Sequence, residues 1–142
     1  MELEKHVVSL DLALALRDAG YPQENALFYW HKRFLEVSCE EVWELKNTNK
    51  GKDSLDVVAA PLASELMDVL PNFIEEGIWR YFLEVWSANT ENKWFCAYNY
   101  YDNAVKENTK IVYLRGNDGI GGDTPSNALA ALFLHLRKAS LI

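Results

Sequence analysis

The chain predicts an α+β fold, a single domain in which three helices pack on an antiparallel sheet of four to five strands. Two kinds of segment carry that expectation. Stretches at 9–19, 61–70 and 125–139 place apolar side chains at helical spacing between clear start and stop signals. Runs at 26–33, 40–46, 78–87, 93–101 and 110–115 are rich in aromatic and β-branched residues and are divided by polar turns. A length of 142 residues, 49% of them apolar and 25% charged, suits one globular domain rather than a disordered chain.

Taken in order, Ser9 caps the first helix, Asp11 sits at its positive end, and Gly20 before Tyr-Pro stops it. Leu10, Leu12, Ala13, Leu14 and Leu16 form a broad apolar arc, with Asp11 and Asp18 opposite. In the strand at 40–46, Glu41, Trp43 and Leu45 alternate against Val42 and Glu44. The polar stretch 47–56 has no periodicity and reads as a mobile loop. Pro61 takes the first position of the second helix, where its missing N–H costs nothing. Leu62, Leu66, Val69 and Leu70 form that helix's stripe, Glu65 and Asp68 face outward, and Pro71 ends it. The strand at 93–101 is apolar on both faces, as expected of a central strand or one meeting a partner. Thr124 caps the last helix, whose buried stripe is Leu129, Leu132, Phe133 and Leu136.

Charge and cysteine usage narrow the function classes. A net charge of −7 argues against direct nucleic-acid binding, which is dominated by phosphate contacts. No segment approaches the ~18 continuous apolar residues of a membrane span, and MELEKHVVSL lacks a signal-peptide core, so a cytoplasmic protein is expected. Cys39 and Cys96 have no metal-type spacing and read as two reduced, half-buried thiols, with a single disulfide as the alternative.

The richest motif is GNDGIGGDTPSNALAALFLHL, from Gly116. A glycine-rich run entering a helix is how phosphate cradles are built, but Asp118 and Asp123 would repel an anion there. Nor does the loop have the alternating ligands of a calcium site. Gly121, Gly122, Asp123 and Thr124 therefore read as a strand-to-helix reversal with its cap. His6, in a fraying N-terminus, His31 and His135 have no zinc-type neighbours, so no metal or cofactor is expected. Ser64, Ser126 and Cys96 lack a local activating base, which argues against catalysis. Glu36, Glu40, Glu41, Glu44, Glu75 and Glu76 read as a solvated face, or else as a stripe imitating DNA phosphates. The aromatics are the best binding candidates: Tyr29 and Trp30, then Trp94, Tyr98 and Tyr100. Trp94, Cys96, Tyr98 and Tyr100 share one strand face by parity, either as core under a helix or as a patch for a partner.

Three segments, SLDLALALRDAGYPQENALFYW, AAPLASELMDVLP and GDTPSNALAALFLHL, resemble those of a family of small uncharacterised proteins encoded by bacteriophages and prophages. Ala60, Pro61, Glu65, Leu66, Leu70 and Pro71 carry the middle pattern. Thr124, Pro125, Ala128, Leu129, Ala130 and Leu132 carry the last. The resemblance implies a mobile-element gene product with an α+β fold and brings no activity, cofactor or catalytic residue. The expected function is a non-catalytic protein-interaction module that self-associates as a homo-oligomer. A DNA-mimic inhibitor and a small-ligand enzyme are the alternatives.

Overall fold

The structure is a computed structural model that describes residues 2–51, 53–76, 79–88, 93–99 and 119–142. Among them are three α-helices, α1 (Leu10–Asp18), α2 (Ala63–Val69) and α3 (Pro125–Lys138). The strands are β1 (Tyr29–Leu35), β2 (Glu40–Lys46), β3 (Val57–Ala59), β4 (Phe73–Glu76), β5 (Trp79–Ala88), β6 (Lys93–Asn99) and β7 (Ile120–Gly122). The α+β class and its three helices are as expected. The strands are shared between two antiparallel sheets, one ordered β2-β1-β3 and the other β4-β5-β6-β7. The expected strand at 110–115 lies outside the described residues.

The helices form close to where their stripes put them, although the Ser9 side chain makes no cap hydrogen bond and Val69 of the expected α2 stripe is exposed. Gly20 takes φ +84° after α1, a conformation open to glycine, and the Tyr21 N–H closes the turn on the Leu16 carbonyl at 2.9 Å. Thr124 Oγ1 accepts the Asn127 N–H at 3.1 Å at the head of α3, the expected cap. At α2 the boundary moves. Leu62 is the N-cap residue and Pro61 precedes it, so Pro61 lies just outside the first turn. Glu65 does not face outward, as its place on the helical wheel suggested. Its carboxylate turns back to accept the Leu62 and Leu27 N–H groups, both at 2.8 Å, because the uncapped helix start and the loop before β1 both present free donors.

Helix α3 is the centre of the core. It packs on β6, β7, α1 and α2, burying Leu129, Leu132, Phe133 and Leu136 as the stripe predicts. The N-terminal segment does not fray. Val7 and Val8 are fully buried, the Val8 N–H reaches the Pro61 carbonyl at 3.0 Å, and Ser126 Oγ donates to the His6 carbonyl at 2.7 Å. Asn127 fixes the same segment. Its Oδ1 accepts the Ser9 N–H at 2.9 Å while its Nδ2 donates to Asp123 at 2.6 Å, so a nearly buried amide is fully partnered.

Residues 47–51 and 53–56 carry turns and bends, held by Ser54 N–H on the Gly51 carbonyl and by Lys32 N–H on the Asp56 carbonyl. The two cysteines are free, and they differ. Cys39 is exposed at the β1–β2 turn and Cys96 is buried under α3, so neither is half-buried.

Candidate functional site

The aromatic residues singled out in the sequence fall mostly inside the protein. Tyr29, Trp30 and Tyr98 are buried, and each polar tip finds a backbone partner. Tyr29 Oη accepts the Ala26 N–H at 3.1 Å, Trp30 Nε1 donates to the Val8 carbonyl at 3.0 Å, and Tyr98 Oη donates to the Pro71 carbonyl at 2.6 Å. These three hold the core together and present no surface to a partner. Trp94 is half-buried and Tyr100 lies outside the described residues. Trp94, Cys96 and Tyr98 do share one face of β6, and that face lies under α3: Cys96 Sγ donates to the Ala128 carbonyl at 3.0 Å. Burial pushes the Cys96 thiol up to about 12, which makes it a small hydrophobe and not a nucleophile.

The opposite face of the same sheet carries a second set of rings, exposed at Phe73 and Phe82, half-buried at Trp86 and Phe95, with Ala97 fully buried among them. Directly opposed residues share a face, so the register puts Phe73 beside Phe82 and Asn99, Glu75 beside Arg80, Glu84 beside Ala97, and Trp86 beside Phe95 and Gly121. The Phe73 and Phe82 rings lie 6.3 Å apart, and the Arg80 guanidinium sits 4.3 Å above Phe73. Trp86 and Phe95 stack at 6.0 Å with their planes 22° apart. Between the pairs, Asn99 donates a hydrogen bond to Glu84. Phe73 and Phe82 are 41% and 44% exposed, and none of these four rings belongs to either apolar core cluster. Alternation along β5 and β6 was legible in the sequence. Which parity faced the helix was not, because both parities carry large rings.

The glycine run has a structural role at this sheet's edge. Gly121 and Gly122 belong to β7, and a Cβ at Gly122 would stand 2.5 Å from the Ala128 nitrogen. The backbone of β7 therefore runs directly against the first turn of α3. Gly119, with φ +119°, supplies the positive-φ residue before it. Thr124 caps α3 through the Asn127 N–H, whereas Asp123 is no cap: it accepts the Asn127 side-chain amide.

An open cleft of about 600 Å³ lies beside that helix start, lined by Lys5, His6, Trp94, Asp123, Thr124 and Pro125. Two of its charged groups have partners: Lys5 pairs with Glu2 at 2.5 Å and Asp123 accepts from Asn127. His31 has its Nε2 2.7 Å from the Thr48 carbonyl, and Glu44 stands opposite it in the sheet. Three of the clustered carboxylates have ion-pair partners, Glu41 with Lys32, Glu44 with Arg33 and Lys46, and Glu75 with Arg80. Among the described residues no group of three or more His, Cys, Asp or Glu side chains could hold a metal ion, and no helix is long and apolar enough to cross a membrane. Comparison with protein-family models, with curated proteins and with solved structures gave no match.

Proposed function

We propose that this chain is a non-catalytic protein-interaction module of phage or prophage type, working in the cytoplasm, self-associating, and binding a protein partner through the outer face of the four-stranded sheet. The observation that carries the reading is the pair of aromatic contacts on that face, Phe73–Phe82 and Trp86–Phe95, left outside the core. Rings already held against each other and against Arg80 lose little conformational freedom on binding, and aromatic residues and Arg are the types that anchor interfaces. The catalytic alternative has less support, since Cys96 is buried with its thiol held protonated and the Ser126 hydroxyl is committed to the His6 carbonyl.

The test is affinity capture from phage-infected or prophage-bearing bacterial cells, with the native chain and a Phe73→Ser/Phe82→Ser variant as baits. Both rings are over 40% exposed, so the variant is expected to stay folded. The reading expects a protein held by the native chain and lost with the variant. Equal recovery on both baits, or nothing retained by either, would overturn it.

A further inference from the structure

The hydrogen-bonding phase of the three-stranded sheet determines which backbone groups β2 leaves free. The Ala60 N–H bonds to the Phe28 carbonyl and the Lys32 N–H to the Asp56 carbonyl, so the even residues of β1 point toward β3. Its odd residues therefore bond to β2, through Lys46, Glu44, Val42 and Glu40. That leaves the N–H and C=O groups of Glu41, Trp43 and Leu45 on the outer edge, where β2 has no neighbouring strand among the described residues. At seven residues, β2 is also the longest edge strand described, against three or four for β3, β4 and β7. An unpaired edge of this length is a template for another strand.

We infer that β2 pairs antiparallel with the β2 of a second copy, about a two-fold axis at Trp43, to give a continuous six-stranded sheet. The inference rests on the self-association in the proposed function and names its surface. Charge selects the register. Centred on Trp43, all seven residues pair: Glu40 faces Lys46 at both ends, Glu41 faces Leu45, and Val42 faces Glu44. No like charges meet. Centring on Val42 opposes Glu40 to Glu44 twice, while centring on Glu41 or Glu44 opposes each to itself. Centring on Leu45 overlaps only residues 44–46. Shifts that oppose an outward residue to an inward one are excluded by the phase of the free groups. Glu40 is exposed and Lys46 half-exposed, so both ends are accessible to the second copy.

Sedimentation equilibrium over a range of protein concentrations tests this. The native chain should form a dimer. Lys46→Glu, which opposes Glu to Glu at both ends, should weaken it about tenfold. The swap Glu40→Lys/Lys46→Glu should restore it, and a mixture of Lys46→Glu with Glu40→Lys should form a heterodimer in preference to either homodimer. Glu41→Pro removes an outward N–H while sparing every bond to β1, and should leave a folded monomer by circular dichroism. A dimer indifferent to all these changes would overturn the β2 edge while leaving self-association standing. A strict monomer would overturn both, without touching capture through the aromatic face.

Discussion

Gly122 and Cys96 show how much a single residue's role depends on what lies across from it. At Gly122 the constraint is space, since the α3 backbone occupies the position of a Cβ. Gly122→Ala should therefore destabilise the protein by roughly 1–3 kcal/mol, the cost of overpacking against backbone. Gly121→Ala should cost less, because its Cβ would meet the Phe95 ring at 3.1 Å, on the outer face of the sheet. Urea midpoints of the two variants provide the comparison. The cysteines separate in the same way. A thiol reagent at neutral pH should modify Cys39 in the folded protein and reach Cys96 only on unfolding, because Cys96 is fully buried and its thiol is held protonated. Mass spectrometry of native and denatured samples reads this directly, and rapid double labelling of the native protein would refute it. Neither contrast could be read from residue type. Cys39 sits in the β1–β2 turn and Cys96 in β6, where the packing of α3 buries it.

At the scale of elements, legibility followed length and periodicity. α1 and α3 carry two or more turns of stripe with a cap and a stop, and both were legible close to their observed limits. β3, β4 and β7 are three or four residues long, too short for any period to register, and they exist because a longer strand offers them a hydrogen-bonding edge. The start of α2 was misjudged for a related reason. Pro61 fits a first helical turn locally, but its carbonyl is taken by Val8 and the helix begins after it. The α3 cap supplies an element-scale expectation. Thr124→Ala should lower stability by about 1 kcal/mol and Thr124→Ser by much less, since the hydroxyl alone satisfies the Asn127 N–H. Thermal or urea unfolding measures both, and equal losses for Ala and Ser would mean that the methyl group, not the hydrogen bond, matters.

For the whole molecule, burial of ionisable groups sets a pH limit. Burial, with Glu65 and Asp68 nearby, pushes the Tyr21 phenol up to about 12, and burial raises Tyr98, Tyr29 and Cys96 as well. These groups keep their protons in the folded state at pH values where the unfolded chain, with ordinary values of 9.0 for the thiol and 10.0 for the phenols, has lost them. Their contribution to stability is therefore complete below about pH 9 and declines as pH rises toward about 12. Urea midpoints should fall steadily across that alkaline range, and a flat profile would contradict it. Asn127→Ala is a second whole-molecule test. It orphans the Ser9 N–H and releases Asp123, so it should cost about 1–3 kcal/mol and raise hydrogen exchange in residues 6–9 ahead of the rest.

By itself, the amino-acid sequence determined the helices and long strands of this protein, the caps that bound them, and the α+β class. Those depend on neighbours within a few positions, where propensity, capping and periodicity act. Tertiary structure alone decided the division into two sheets, the inward turn of Glu65, and the burial of Val7 and Val8. It also decided which face of β5 and β6 is outside. Parity along a strand defines two faces, and only the helix that covers one of them makes the other a surface. That is why Tyr98, Trp30 and Tyr29 became core while Phe73 and Phe82, on the other face, stayed more than 40% exposed.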